Sequence, residues 1–116
     1  MNVPEISPQD LAAKLKSEAE FTLLDVRETW ELDRARLDDR RLVLLPLSRL
    51  ARERIASLPP ALTADRAAEV VVLCHHGTRS ADVTAWLLQQ GWTNVRSLAA
   101  GIAAYAGQVD HSVGSY

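Results

Sequence analysis

The sequence predicts an α/β domain built on a mainly parallel sheet. Two observations carry that prediction. Apolar, strand-like runs alternate along the chain with amphipathic segments, the order expected when helices cross over a parallel sheet. The most strand-like run, Glu69 to Leu73, holds three successive valines and no polar alternation, as a strand buried on both faces does. Size agrees with both. A chain of 116 residues suits one domain spanning 1–116, and 47% apolar with 24% charged residues can build a core.

The elements follow in order. Ser7-Pro8-Gln9-Asp10 reads as a helix start, with Ser as cap, Pro in the first turn and an acid at the third position. Leu11 and Leu15 then fall on one helical face. Phe21 to Val26 reads as a buried strand ending in charge, and Arg41 to Pro46 as another, stopped by proline. A helix is expected from about Ser48 to Leu58, ended by Pro59-Pro60. Glu69 to Leu73 is the next strand, followed by a short loop and a helix from about Arg79 to Gln90. In that helix Val83, Trp86 and Leu87 share a face, and Gly91 sits where a left-handed cap is wanted. Val95 to Leu98 is the last strand, with a short helix after Gly101. The polar tail, 109–116, is expected to lie over the surface, and the charged stretch Asp33 to Arg41 to be a solvated connection. Trp86 is assigned to the core face of its helix, Trp92 to a turn, and Trp30 to packing beneath the loop after the second strand.

Charge and composition exclude several function classes. A formal charge of -2 gives none of the basic footprint that nucleic-acid binding needs. Met1-Asn2-Val3-Pro4-Glu5 lacks a basic region followed by an apolar one, so no secretory leader is read there. No apolar run approaches the roughly 20 residues that cross a bilayer. A cytoplasmic protein without membrane or nucleic-acid partners is expected.

The chain has one cysteine, Cys74, so an internal disulfide or a thiolate metal cluster cannot form. Any group that Cys74 accepts must leave to a second molecule. It opens Cys74-His75-His76-Gly77-Thr78-Arg79-Ser80, between a strand and a helix. Backbone N–H groups converge at such a junction and the helix dipole adds to them. A sulfur held there favours the thiolate, and comparable sites have pKa values lowered to about 3.5–7.5. Gly77 admits a left-handed backbone. Arg79 completes a positive rim or braces the loop against an acid; Ser80 caps the helix or donates to the sulfur. His75 and His76, as neighbours in a tight loop, are expected to point apart, to contribute mainly their backbone N–H groups, and to hold an anion by partial protonation. No metal and no cofactor are expected, since no ligand cluster accompanies them.

These residues carry a resemblance that covers almost the whole chain. Leu23-Leu24-Asp25-Val26-Arg27-Glu28 resembles the acid-terminated second strand of rhodanese domains, and the segment from Cys74 to Ser80 resembles their active-site loop. Gly91-Trp92-Thr93-Asn94-Val95 and Leu98-Ala99-Ala100-Gly101-Ile102 are similar to the closing strand and the glycine turn beyond it. Val109 to Tyr116 is similar to the tail of many bacterial single-domain members. A related tail ends rhodanese domains that supply ubiquitin-like sulfur carriers.

The resemblance implies a rhodanese-like α/β fold: a five-stranded, mainly parallel sheet flanked by helices on both faces. It implies a sulfurtransferase in which Cys74 takes a sulfane sulfur from thiosulfate or a similar donor, releases sulfite, and passes the persulfide sulfur to cyanide, a thiol or a protein. It makes Asp25 and Arg27 bracing residues of the loop. Three positions depart from the family pattern: Ala35-Arg36 replaces a usual Gly-His, Ala100-Gly101 a double glycine, and Tyr105 a tryptophan.

Three other functions compete. Phosphatases that share this fold have a loop one residue longer and a histidine before the cysteine. Here four residues separate Cys74 from Arg79 and Leu73 precedes, a ring sized for sulfur rather than phosphate. A persulfide carrier that only presents sulfur to a partner protein needs the same loop. A silent scaffold is disfavoured because the nucleophile is present.

Overall fold

The computed structural model describes residues 2–116. Met1, where the reading of the N-terminus and of the 1–116 domain begins, lies outside the described residues. Strands β1 (Glu5–Ile6), β2 (Thr22–Asp25), β3 (Leu42–Leu44), β4 (Val70–Leu73) and β5 (Val95–Leu98) form one sheet in the order β1-β5-β4-β2-β3. Every pairing is parallel. The valine run becomes the central strand, flanked by β2 and β5.

Side chains alternate across β4, so the sheet has two apolar faces to cover. Val70, Val72 and Cys74 share a core with Leu50 of helix α2 (Leu47–Glu53), Leu62 of α3 (Pro60–Thr63) and Val83 and Leu87 of α4 (Thr78–Gln89). Val71 and Leu73 face the opposite way, onto Leu11 of α1 (Pro8–Leu15) and Ile102 and Tyr105 of α5 (Gly101–Gln108). Helices therefore cover both faces. The alternation also aims Cys74 at the α4 side.

The local signals for α1 act as expected: Ser7 accepts from the Asp10 N–H at 3.0 Å, with Pro8 in the first turn. Gly91 is left-handed at the end of α4 (φ +103°).

Other expectations are corrected. Strand β1 escaped the sequence pattern because two residues cannot show a period; it is an edge strand, and the carbonyls of Ile6 and of the preceding Pro4 accept the N–H groups of Ala99 and Ser97. Strand β3 is half-buried rather than buried, being the other edge. The helix expected over 48–58 ends at Glu53, where Arg54 takes a positive φ of 54°, and a 3₁₀ turn, Arg54–Ser57, follows. Pro60 opens α3 instead of stopping a helix, since a first-turn proline has no N–H to lose.

The charged stretch is not simply solvated. Ala35 and Leu37 are buried, and so is Arg41, whose guanidinium donates to Asp39, to the Leu15 carbonyl at the end of α1 and to the Ala19 carbonyl beyond it. Trp30 is 59% exposed instead of packing beneath a loop. Trp92 belongs to the core, its Nε1–H donating to the Leu62 carbonyl at 3.0 Å. Among the described residues no helix is long and apolar enough to cross a membrane.

Candidate active site

Cys74 follows the last residue of β4, and α4 begins at Thr78. The first N–H groups of a helix have no partner within it, and they must find acceptors. Here the sulfur supplies one. Cys74 Sγ accepts the Gly77 N–H at 3.1 Å and the Ser80 N–H at 3.3 Å. Gly77 makes the curl possible: its φ is +103°, and a Cβ there would press on the Ala100 nitrogen. Ser80 is wholly buried, and its Oγ lies 3.4 Å from Sγ, placed to accept from the thiol. The same Oγ donates to the Gly77 carbonyl at 3.2 Å and meets Ser97 Oγ at 2.8 Å. Thr78 is exposed in the first turn of α4.

The loop is fixed from behind by α5. The Cys74 and His75 carbonyls accept the N–H groups of Ile102 and Ala103 at 2.9 and 3.0 Å. Any side chain at Gly101 would collide with those two carbonyls, so the close approach requires glycine. With its carbonyls turned toward α5, the loop directs its later N–H groups at the sulfur.

Arg79 is paired with an acid. It donates from Nη1 and Nη2 to Glu31 at 2.8 and 2.9 Å, and the Glu31 carboxylate raises its affinity for the proton. Arg79 in turn holds the Glu31 carboxyl well down, to about 2, against the opposing effect of burial. Glu31 also accepts the Glu28 N–H at 2.7 Å and the Tyr116 hydroxyl at 2.9 Å.

Asp25 and Arg27 form an ion pair at 2.7 Å with both side chains fully buried. Arg27 Nη1 donates to the Ala35 carbonyl at 2.7 Å and to the Tyr116 hydroxyl at 3.2 Å. Hydrogen bonds link this pair to the cysteine loop through Tyr116, which meets both His75 and Glu31, and through the Glu31 carbonyl, which Arg27 Nη1 reaches at 3.4 Å; Glu31 in turn holds Arg79.

The histidines depart from expectation. Their rings do not point apart but stack, with centroids 3.8 Å apart, and His75 also stacks on Tyr116 at 3.6 Å and 5°. His75 Nε2–H donates to the Tyr116 backbone oxygen at 2.7 Å. Burial, and next the neighbouring His76, lower the proton affinity of His75, which opposes the expected partial protonation. The N–H groups on the sulfur belong to Gly77 and Ser80 rather than to the histidines. Among the described residues no three His, Cys, Asp or Glu side chains converge as metal ligands would.

The tail is likewise more than a surface cover. Gly114 bridges Ala35, and Val113 accepts the Arg36 N–H at 2.9 Å, which brings Tyr116 onto the loop. Glu31, Ser97 and Tyr116 were missed as site residues. One signal existed for Glu31: it stands three residues after Glu28, the spacing of a capping box, which the structure forms.

Comparisons with known proteins agree with the fold. A family model described as Rhodanese-like domain matches residues 7–108. A sulfurtransferase of Allochromatium vinosum is 33% identical over 90% of this chain and 89% of its own length. The putative sulfur carrier protein YrkF of Bacillus subtilis is 26% identical over 94% of this chain, which spans 54% of that protein. The crystal structure of a rhodanese-related protein from Thermoplasma volcanium superposes with a TM-score of 0.72 at 30% identity, covering 92% of this chain and 94% of that one.

Proposed function

This chain belongs to the rhodanese-like domain family, and from that premise we propose that it transfers a sulfane sulfur through a persulfide on Cys74. The Cys74 thiolate attacks the outer sulfur of thiosulfate or a similar donor. A new S–S bond forms as the donor's S–S bond breaks, and sulfite leaves with the electron pair. A nucleophilic acceptor (cyanide, a thiol or a protein) then attacks the outer persulfide sulfur, and the Cys74 thiolate departs. The two steps balance without a redox partner. As the chain's one thiol, Cys74 cannot resolve the persulfide internally, so the sulfur ends on an outside acceptor.

The observation that carries this reading is the cradle at Sγ, with N–H donors at 3.1 and 3.3 Å at the start of α4. Such donors favour an anionic sulfur as nucleophile, persulfide and leaving group alike. Arg79, Asp25 and Arg27 brace that cradle, and the exposed His76 and Thr78 rim it. The test is intact mass after incubation with thiosulfate. A gain of one sulfur atom, reversed by cyanide and absent in Cys74→Ala, is the expected result. No adduct under any donor, or faster hydrolysis of an aryl phosphate, would overturn the reading.

The similarity to a putative sulfur carrier protein favours a second reading, in which Cys74 holds persulfide for delivery to a partner protein. Capture of a sulfur-accepting protein that is lost in Cys74→Ser supports delivery. Rapid turnover of thiosulfate and cyanide by the isolated chain supports the free-standing enzyme.

A further inference from the structure

The hydroxyl beside the sulfur is itself held by a second hydroxyl that the sulfur-transfer steps leave unused. Ser97, on β5, is 1% exposed, and its Oγ lies 2.8 Å from Ser80 Oγ, with either oxygen able to donate. Ser80 Oγ is within reach of Cys74 Sγ at 3.4 Å and of the Gly77 carbonyl at 3.2 Å. A serine hydroxyl has one proton to give and lone pairs to accept. It cannot donate to the Gly77 carbonyl and to the sulfur at once.

The protonation state of the sulfur decides which bond forms. A neutral thiol donates to Ser80 Oγ, leaving the Ser80 proton for Gly77. An anionic sulfur has nothing to donate and wants a donor, so the Ser80 hydroxyl swings toward it. A lone pair of Ser80 Oγ accepts the Ser97 proton. We propose that Ser97 is a positioning residue: by donating into Ser80 it aims that hydroxyl at the sulfur and favours the anionic forms of Cys74. A chain of hydrogen bonds polarises along its length, so the donor at the far end strengthens the one at the sulfur. The burial of both hydroxyls adds to this, because a buried donor left without an acceptor is costly.

The value of this relay for sulfur transfer rests on the persulfide reading above; the relay itself concerns only the charge on the sulfur. As the chain holds one cysteine, its iodoacetamide alkylation rate against pH reports Cys74 alone. In Ser97→Ala the midpoint of that profile is expected to move to higher pH by about half to one unit, the equivalent of one hydrogen bond. Ser80→Ala moves it as well, and Ser80→Ala/Ser97→Ala moves it no further than Ser80→Ala, since Ser97 acts through Ser80. The isosteric pair Ser97→Thr and Ser97→Val separates the hydroxyl from packing: Thr keeps the wild-type midpoint and Val shifts it.

An unmoved midpoint in the Ala and Val variants, or a double variant whose shift is the sum of the singles, overturns the relay. If wild type forms no persulfide from any donor while the profile still shifts in Ser97→Ala, the sulfur-transfer reading fails and the relay stands. Persulfide formation with an unmoved profile has the opposite meaning.

Discussion

Glu31 takes four hydrogen bonds on one carboxylate, two from Arg79 and one each from Glu28 and Tyr116, and that crowding sets a pH dependence. Its carboxyl falls from an ordinary 4.5 to about 2, through the Arg79 hydrogen bonds first. A group whose folded value is depressed contributes stability above its unfolded value and loses it as pH falls through the folded one. The contribution is therefore full above about pH 4.5 and disappears toward about pH 2, and it is on the order of 3 kcal/mol. Urea unfolding of Glu31→Gln is expected to show lower stability than wild type near neutrality and a shallower loss between about pH 5 and pH 2. Parallel curves for the two proteins would remove Glu31 from the acid transition. The pairing was invisible in sequence because Arg79 and Glu31 stand 48 positions apart. The sequence offered Arg79 an acid as a possible brace, and only folding brings the acid to it.

The elements that were legible carry their signal within a few residues. Strand β4 shows as a valine run, α1 as a serine–proline cap, and the cysteine loop as a strand-to-helix junction with a glycine in it. Elements decided by distant packing were not. The α2 break at Arg54 has no proline or glycine to announce it, and β1 is too short to have a pattern. The turn into α5 lies between these cases. Gly101 is required where the helix start meets the Cys74 and His75 carbonyls, yet the residue before it, Ala100, is also left-handed at φ +57°. A side chain in that region costs about 1–2 kcal/mol, while glycine loses about 0.5–1 kcal/mol in chain entropy. Ala100 is exposed, so its methyl contributes little packing. Ala100→Gly is expected to stabilise the protein by up to about 1 kcal/mol, raising the thermal midpoint by a few degrees with alkylation at Cys74 unchanged. A lower midpoint would mean that the αL strain is already relieved locally.

At the scale of the molecule, the site is the place where both faces of the sheet and the C-terminal segment meet. β4 delivers the sulfur to the α4 side, α5 on the other side holds the loop's carbonyls, and 109–116 returns across Ala35 to the loop. Tyr116 joins these parts. Its hydroxyl accepts from Arg27 and donates to Glu31, so it lies between two ion pairs, Asp25–Arg27 and Glu31–Arg79, while its ring covers His75. Burial and the Glu31 carboxylate keep the phenol from ionising, partly opposed by Arg27, so it serves as donor and acceptor together. Tyr116→Phe keeps the stack on His75 but removes one acceptor of Arg27 Nη1, leaving it the Ala35 and Glu31 carbonyls, and takes one donor from the Glu31 carboxylate. A loss of about 1–3 kcal/mol in unfolding free energy is expected from the lost hydrogen bonds to two charged groups. The loss should shrink in a Glu31→Gln background, because the two side chains belong to one network and their effects are not additive. Hydrogen exchange localises the effect: in Tyr116→Phe the amides of the cysteine loop and of residues 31–36 should open more readily, while those of β4 keep their protection. Equal losses in both backgrounds would mean that the Tyr116 hydroxyl does not act through Glu31, and that the two ion pairs are independent.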